Sequence, residues 1–89
     1  MIKVTEVIRA NPKGEYYLRE AMVNSKQIVS VSLNDEFIVL LHQGMLPDGL
    51  DNAHEFADVS LSNGKTMVVV GSPKSISEKM RTSKNILHG

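Results

Sequence analysis

Residues 57–80, ADVSLSNGKTMVVVGSPKSISEKM, hold a strand, a turn, a second strand, a second turn and a helix start in succession. Ala57–Ser62 and Lys65–Val70 flank Asn63-Gly64, the strongest short signal for a hairpin, and the pair predicts a type I′ turn with positive φ at both central residues. Val59 and Leu61 alternate with polar residues, as expected of a strand with one covered face. Met67-Val68-Val69-Val70 is apolar without a break, which predicts a strand covered on both faces. Gly71-Ser72-Pro73-Lys74-Ser75 then raises a functional question, because loops between a strand and a helix often hold phosphate. A phosphate cradle needs several convergent backbone N–H groups, and this segment has one glycine and a proline that removes a donor. Helix capping explains it better: Ser72 as N-cap with Pro73 first in the helix, or Ser75 as N-cap with Glu78 completing a capping box. In either case Ile76 and Met80, at i and i+4, face the sheet.

Working toward the N-terminus, Ile2, Val4, Glu6 and Ile8 alternate with Lys3, Thr5, Val7 and Arg9, predicting a first strand with one buried face. Asn11-Pro12-Lys13-Gly14 has the residue order of a type I turn, and Glu15–Arg19 follows as a second strand whose adjacent tyrosines point to opposite faces. Asn24-Ser25-Lys26 is a polar kink. Gln27–Leu33 alternates again, with Val29, Val31 and Leu33 expected on one side and Ser30 and Ser32 on the other. Between the halves, Asn34 can cap a short helix that has Asp35 and Glu36 at its start, His42 in its last turn and Gly44 as its left-handed stop. Phe37, Leu40 and Leu41 would form its apolar face.

These elements predict a single α+β domain spanning 1–89. Its core is a twisted antiparallel sheet of about five strands, able to curl toward a small barrel, with a C-terminal helix and a short helix between strands three and four. The order of strands between the two hairpins stays open. A chain of 89 residues buries only about 60 to 65% of its unfolded surface, so self-association would add to a thin stability margin.

Composition narrows the chemistry. Ten basic and ten acidic residues cancel, which disfavours dedicated capture of nucleic acid. Cysteine is absent, excluding disulfides and thiolate metal sites, and with no secretory leader the expected compartment is the cytoplasm. The longest apolar run, Phe37–Leu41, is far short of the roughly 20 residues that cross a bilayer. His42, His54 and His88, with Asp48, Asp51 and Glu55 near in sequence, lack the close spacing of a metal site and read as solvated. No serine sits in a nucleophile-elbow context, Asp35-Glu36 suits a helix start, and no cofactor motif is present. A non-enzymatic protein is expected.

Two features could bind a partner. The loop Met45-Leu46-Pro47-Asp48-Gly49-Leu50 sets Met45, Leu46 and Leu50 among turn residues, either exposed for a protein contact or folded back over the sheet. Lys74, Lys79, Arg81 and Lys84 lie within eleven residues and could form a basic stripe for nucleic acid, although Glu78 stands among them. A third possibility is a small-ligand or nucleotide sequestering protein whose inserted segment closes a pocket between subunits.

Two resemblances bear on these expectations. MIKVT, VNSKQIVSV and DVSLSNGKTMVVVGSPKSISEKM together resemble, over about half the chain, the small FlbD-type flagellar regulators. The insertion from Asn34 to Phe56 and the absence of a strongly charged tail depart from that pattern, so no flagellar role carries over. YYLREAMVN, VVVGSPKSISEKM and the closing ILHG are similar to short proteins encoded by tailed bacteriophages. That resemblance implies expression in a bacterial host's cytoplasm and binding to host or phage macromolecules rather than catalysis. It transfers no functional residue.

Overall fold

The computed structural model of the chain describes residues 1–47, 49–50 and 54–88, with side chains through Thr82. Strands β1 (Ile2–Arg9) and β2 (Tyr16–Val23) form the first hairpin. A 3-10 turn (Ser25–Gln27) leads to β3 (Ile28–Leu33), α1 (Asp35–His42), β4 (Phe56–Leu61), β5 (Thr66–Val70) and α2 (Pro73–His88). The strands make one antiparallel sheet in the order β2-β1-β5-β4-β3. The sheet is open, with β2 and β3 as its edges, and does not close into a barrel.

β5 at the centre is covered on both faces, as its unbroken apolar run predicts. Val69 is fully buried in one cluster with Ile2, Val4, Val23, Ala57, Val59 and, from α2, Ile76. Val68 and Val70 pack on the other face against Val7, Phe56 and, from α1, Leu41. The two helices therefore cover opposite faces of the sheet. The same division corrects the reading of β1 as a strand with one buried face. Ile2 and Val4 are buried on the α2 side, whereas Val7 is buried on the α1 side. Each helix covers a different part of the strand, so the buried face changes midway.

Local corrections have equally specific causes. The β4–β5 hairpin forms, but not through a type I′ turn: Asn63 does not adopt positive φ, and Gly64 alone does, at 87°. Leu61 and Lys65 close a three-residue loop, with Leu61 N–H donating to Lys65 O at 2.8 Å and Gly64 N–H to Leu61 O at 3.0 Å. The Asn63 side chain accepts from Lys65 N–H at 2.9 Å, stabilising this alternative. In the first hairpin, the Asn11 side chain accepts from Lys13 N–H at 3.0 Å and Gly14 N–H bonds Asn11 O, as the Asn-Pro-Lys-Gly order implies. β2 continues four residues past Arg19 to Val23, because the pairing of Ile2 with Val23 extends the hairpin into the core.

In β3 the register against β4 shifts between Ile28 and Ser30. This bulge turns Val29 out to solvent at 69% exposure, while Ile28 and Val31 pack on the core, so the expected Val29, Val31, Leu33 face is broken. α1 begins as expected: the Asn34 side chain accepts from Phe37 N–H at 3.0 Å and donates to Asp58 Oδ1 at 2.9 Å, tying the cap to β4. Its inward face is Phe37, Ile38 and Leu41 rather than Phe37, Leu40 and Leu41. Phe37 stands edge-on to Tyr16 with 5.4 Å between ring centroids and lies 5.9 Å from Phe56, which centres the α1-side cluster.

Truncating Phe56→Ala is expected to cost about 3–5 kcal/mol in urea unfolding, because it removes a fully buried ring from between α1 and the sheet. Val29→Ala, at the exposed bulge, should stay within about 0.5 kcal/mol of the parent.

Candidate interaction surface

The strand-to-helix junction works as a helix cap. Ser72 Oγ accepts from Ser75 N–H at 3.1 Å, and Ile76 N–H donates to Ser72 O at 3.1 Å, so Ser72 is the N-cap and Pro73 opens α2. Of the two capping alternatives this is the one adopted. Ser75 Oγ in turn donates to Ser72 O at 2.8 Å. Gly71, with φ at 132°, continues the ladder by donating its N–H to Glu55 O at 2.7 Å, and a Cβ there would stand 2.9 Å from Ser75 Oγ. The positive φ favours glycine, and any side chain here would have to displace the Ser75 hydroxyl.

The basic residues of α2 are divided. Lys74 and Arg81, seven residues apart, share one flank of the helix, and Lys79 lies on another. The Lys79 ammonium donates to Lys3 O at 2.9 Å, which spends it on β1. Arg81 lies beside Met80 at an open depression of about 510 Å³, lined also by Ser25, Lys26 and Ile28. Lys26, from the 3-10 turn, joins Arg81 there, a pairing that only the tertiary fold creates. The side chain of Lys84 lies outside the described residues.

The loop after α1 divides too. Leu46 and Leu50 fold back onto the cluster of Val7, Leu41 and Phe56, and Met45 stays 48% exposed. Asp48 and Asp51 lie outside the described residues. His42 is exposed and His54 half-buried, and the described residues contain no group of three or more acidic or histidine side chains placed to hold a metal.

The exposed apolar side chains add Val29, Leu33 and Val39 to Met45, the one exposed member of the loop trio singled out from sequence. Val29 and Leu33 lie on β3, Val39 on the outer side of α1, and Met45 just past it. On the other edge of the sheet, Tyr17 and Met22 are exposed but share β2 with Arg19 and Glu20. Arg19 pairs with Glu6 at 3.0 Å and Glu20 with Lys3 at 3.1 Å, so charge guards that edge. β3 has no charged residue and no proline from Ile28 to Leu33. A bulge is invisible to period-two reading, which therefore sets Val29 on one face with Val31 and Leu33.

Comparison with protein-family models, curated proteins and solved structures finds no match. Among the described residues no helix is long and apolar enough to cross a membrane.

The capping geometry makes two stability predictions. Ser72→Ala should cost about 1 kcal/mol by chemical denaturation, whereas Glu78→Ala, outside any capping box, should change stability by less than about 0.5 kcal/mol. Gly71→Ala should cost about 1–2 kcal/mol, through its positive φ and its approach to Ser75.

Proposed function

We propose that this chain is a non-enzymatic interaction module, a phage or bacterial accessory protein that binds a macromolecular partner in the cytoplasm and associates with itself. One observation carries the reading: an open sheet whose uncharged β3 edge exposes Val29 and Leu33, with Val39 and Met45 exposed on and beside the helix that follows. Aliphatic side chains held in water gain about 25 cal/mol per Å2 when covered, and a core divided between two faces of one small sheet leaves such gains to association. Within the loop considered from sequence, Met45 is the exposed side chain, and Leu46 and Leu50 are turned onto the core cluster.

A photo-crosslinking residue placed at Val39 or Met45 in a bacterial host should yield a discrete adduct with one macromolecule, weakened when the neighbouring exposed position is changed to lysine. The absence of any adduct from both positions, together with strictly monomeric behaviour of the purified chain, would reject the reading.

A second reading, a nucleic-acid-binding regulator, draws support from the convergence of Lys26 and Arg81 on the depression beside α2. It requires binding to DNA or RNA that weakens steeply with salt and is lost in the double variant Lys26→Glu, Arg81→Glu. Absence of binding at low salt would remove it.

A further inference from the structure

The β3 edge has the chemistry to pair with itself. Asn34 N–H donates to Phe56 O at 2.9 Å, which fixes the phase of the antiparallel ladder between β3 and β4. Main-chain groups alternate along such a ladder. Those of Ser30, Ser32 and Asn34 are directed toward β4, and those of Val31 and Leu33 are directed away from it. An uncharged edge strand with outward N–H and C=O groups is a template for another strand.

We propose that β3 pairs antiparallel with β3 of a second copy, about a two-fold axis through Val31, joining the two five-stranded sheets into one. This inference rests on the interaction-module reading and names the self-contact within it. Val31 then lies opposite Val31, Ser30 opposite Ser32, and the Val29 end of one strand opposite Leu33 of the other, so the exposed aliphatics at the two ends cover each other. The outward main-chain groups of Val31 and Leu33 gain partners. The arrangement is isologous and closed, giving a dimer rather than a fibre.

Charge complementarity selects this occupant. Lys26 stands just before β3, and Asp35 and Glu36 just after it. All three are exposed, and among the described residues none has an ion-pair partner in its own chain. Antiparallel pairing about Val31 brings the Lys26 end of one strand against the Asp35-Glu36 end of the other, and symmetry repeats the contact. Parallel pairing in register would instead set Lys26 against Lys26 and Glu36 against Glu36. The bulge between Ile28 and Ser30 ends the regular edge, which limits the interface to a short, reversible one.

Sedimentation across micromolar to millimolar concentrations should show a reversible monomer–dimer equilibrium. Val29→Lys and Leu33→Lys should each raise the dissociation constant by about 10-fold or more, with far-UV circular dichroism unchanged. Val29 is exposed enough to be changed without threatening the fold. Lys26→Glu should weaken the dimer, and adding Glu36→Lys to the same chain should restore it. Because the chain has no cysteine, a mixture of Ser30→Cys and Ser32→Cys chains should oxidise to a crosslinked heterodimer in preference to either homodimer. A monomer at every concentration overturns the inference. So does a dimer indifferent to the β3 substitutions and the charge exchange, although adducts from Val39 or Met45 would then leave the broader reading standing.

Discussion

Burial of β5 on both faces is the constraint that organises this molecule. The run Met67-Val68-Val69-Val70, four consecutive apolar side chains, has no face to give to water, so each side of the sheet must be covered at its centre. α2 covers one side through Ile76, and α1 covers the other through Phe37, Ile38 and Leu41. The order β2-β1-β5-β4-β3 follows the same logic, since it sets β5 between β1 and β4 at the centre of the sheet and leaves β2 and β3 as the edges. Even the change of buried face along β1, from Ile2 and Val4 to Val7, is a consequence of two helices sharing one sheet from opposite sides.

That solution has a cost at the edges. Two helices do not enclose five strands, and the uncovered remainder falls on β3, α1 and the residues just past it, where Val29, Leu33, Val39 and Met45 face solvent. β2 is held differently. Of its charged pairs, Glu20 with Lys3 is solvent-exposed and contributes little to stability, whereas Arg19 reaches the mostly covered Glu6; both make that edge a poor template for another strand. The asymmetry between a guarded edge and a bare one is the main physical ground for reading this protein as one that associates.

Much of the fold was legible locally. Strand existence, both hairpins, the Asn34 cap and the Gly44 stop depend on interactions within a few residues, and sequence periodicity and turn chemistry report those directly; the unbroken apolar run of β5 signals burial on both faces without saying what covers them. Asn63-Gly64 signals a two-residue turn, whereas Leu61 and Lys65 close the loop one residue wider, a choice set by the β4–β5 register. The candidate sites were less legible. Lys74, Lys79, Arg81 and Lys84 are neighbours in sequence, but α2 turns Lys79 toward β1 and carries Arg81 to Lys26. Met45, Leu46 and Leu50 look alike in a loop, and only the position of the Val7, Leu41 and Phe56 cluster determines which of them are partly covered.

By itself, then, the sequence determined an α+β chain with five antiparallel strands, a capped short helix and a C-terminal helix, because hydrophobic period, turn chemistry and caps act over a handful of residues. Tertiary structure alone decided the strand order, the opposite placement of the helices, the bulge that exposes Val29, and the meeting of Lys26 with Arg81. Those features arise from contacts between segments distant along the chain, where long-range packing overrides local preference.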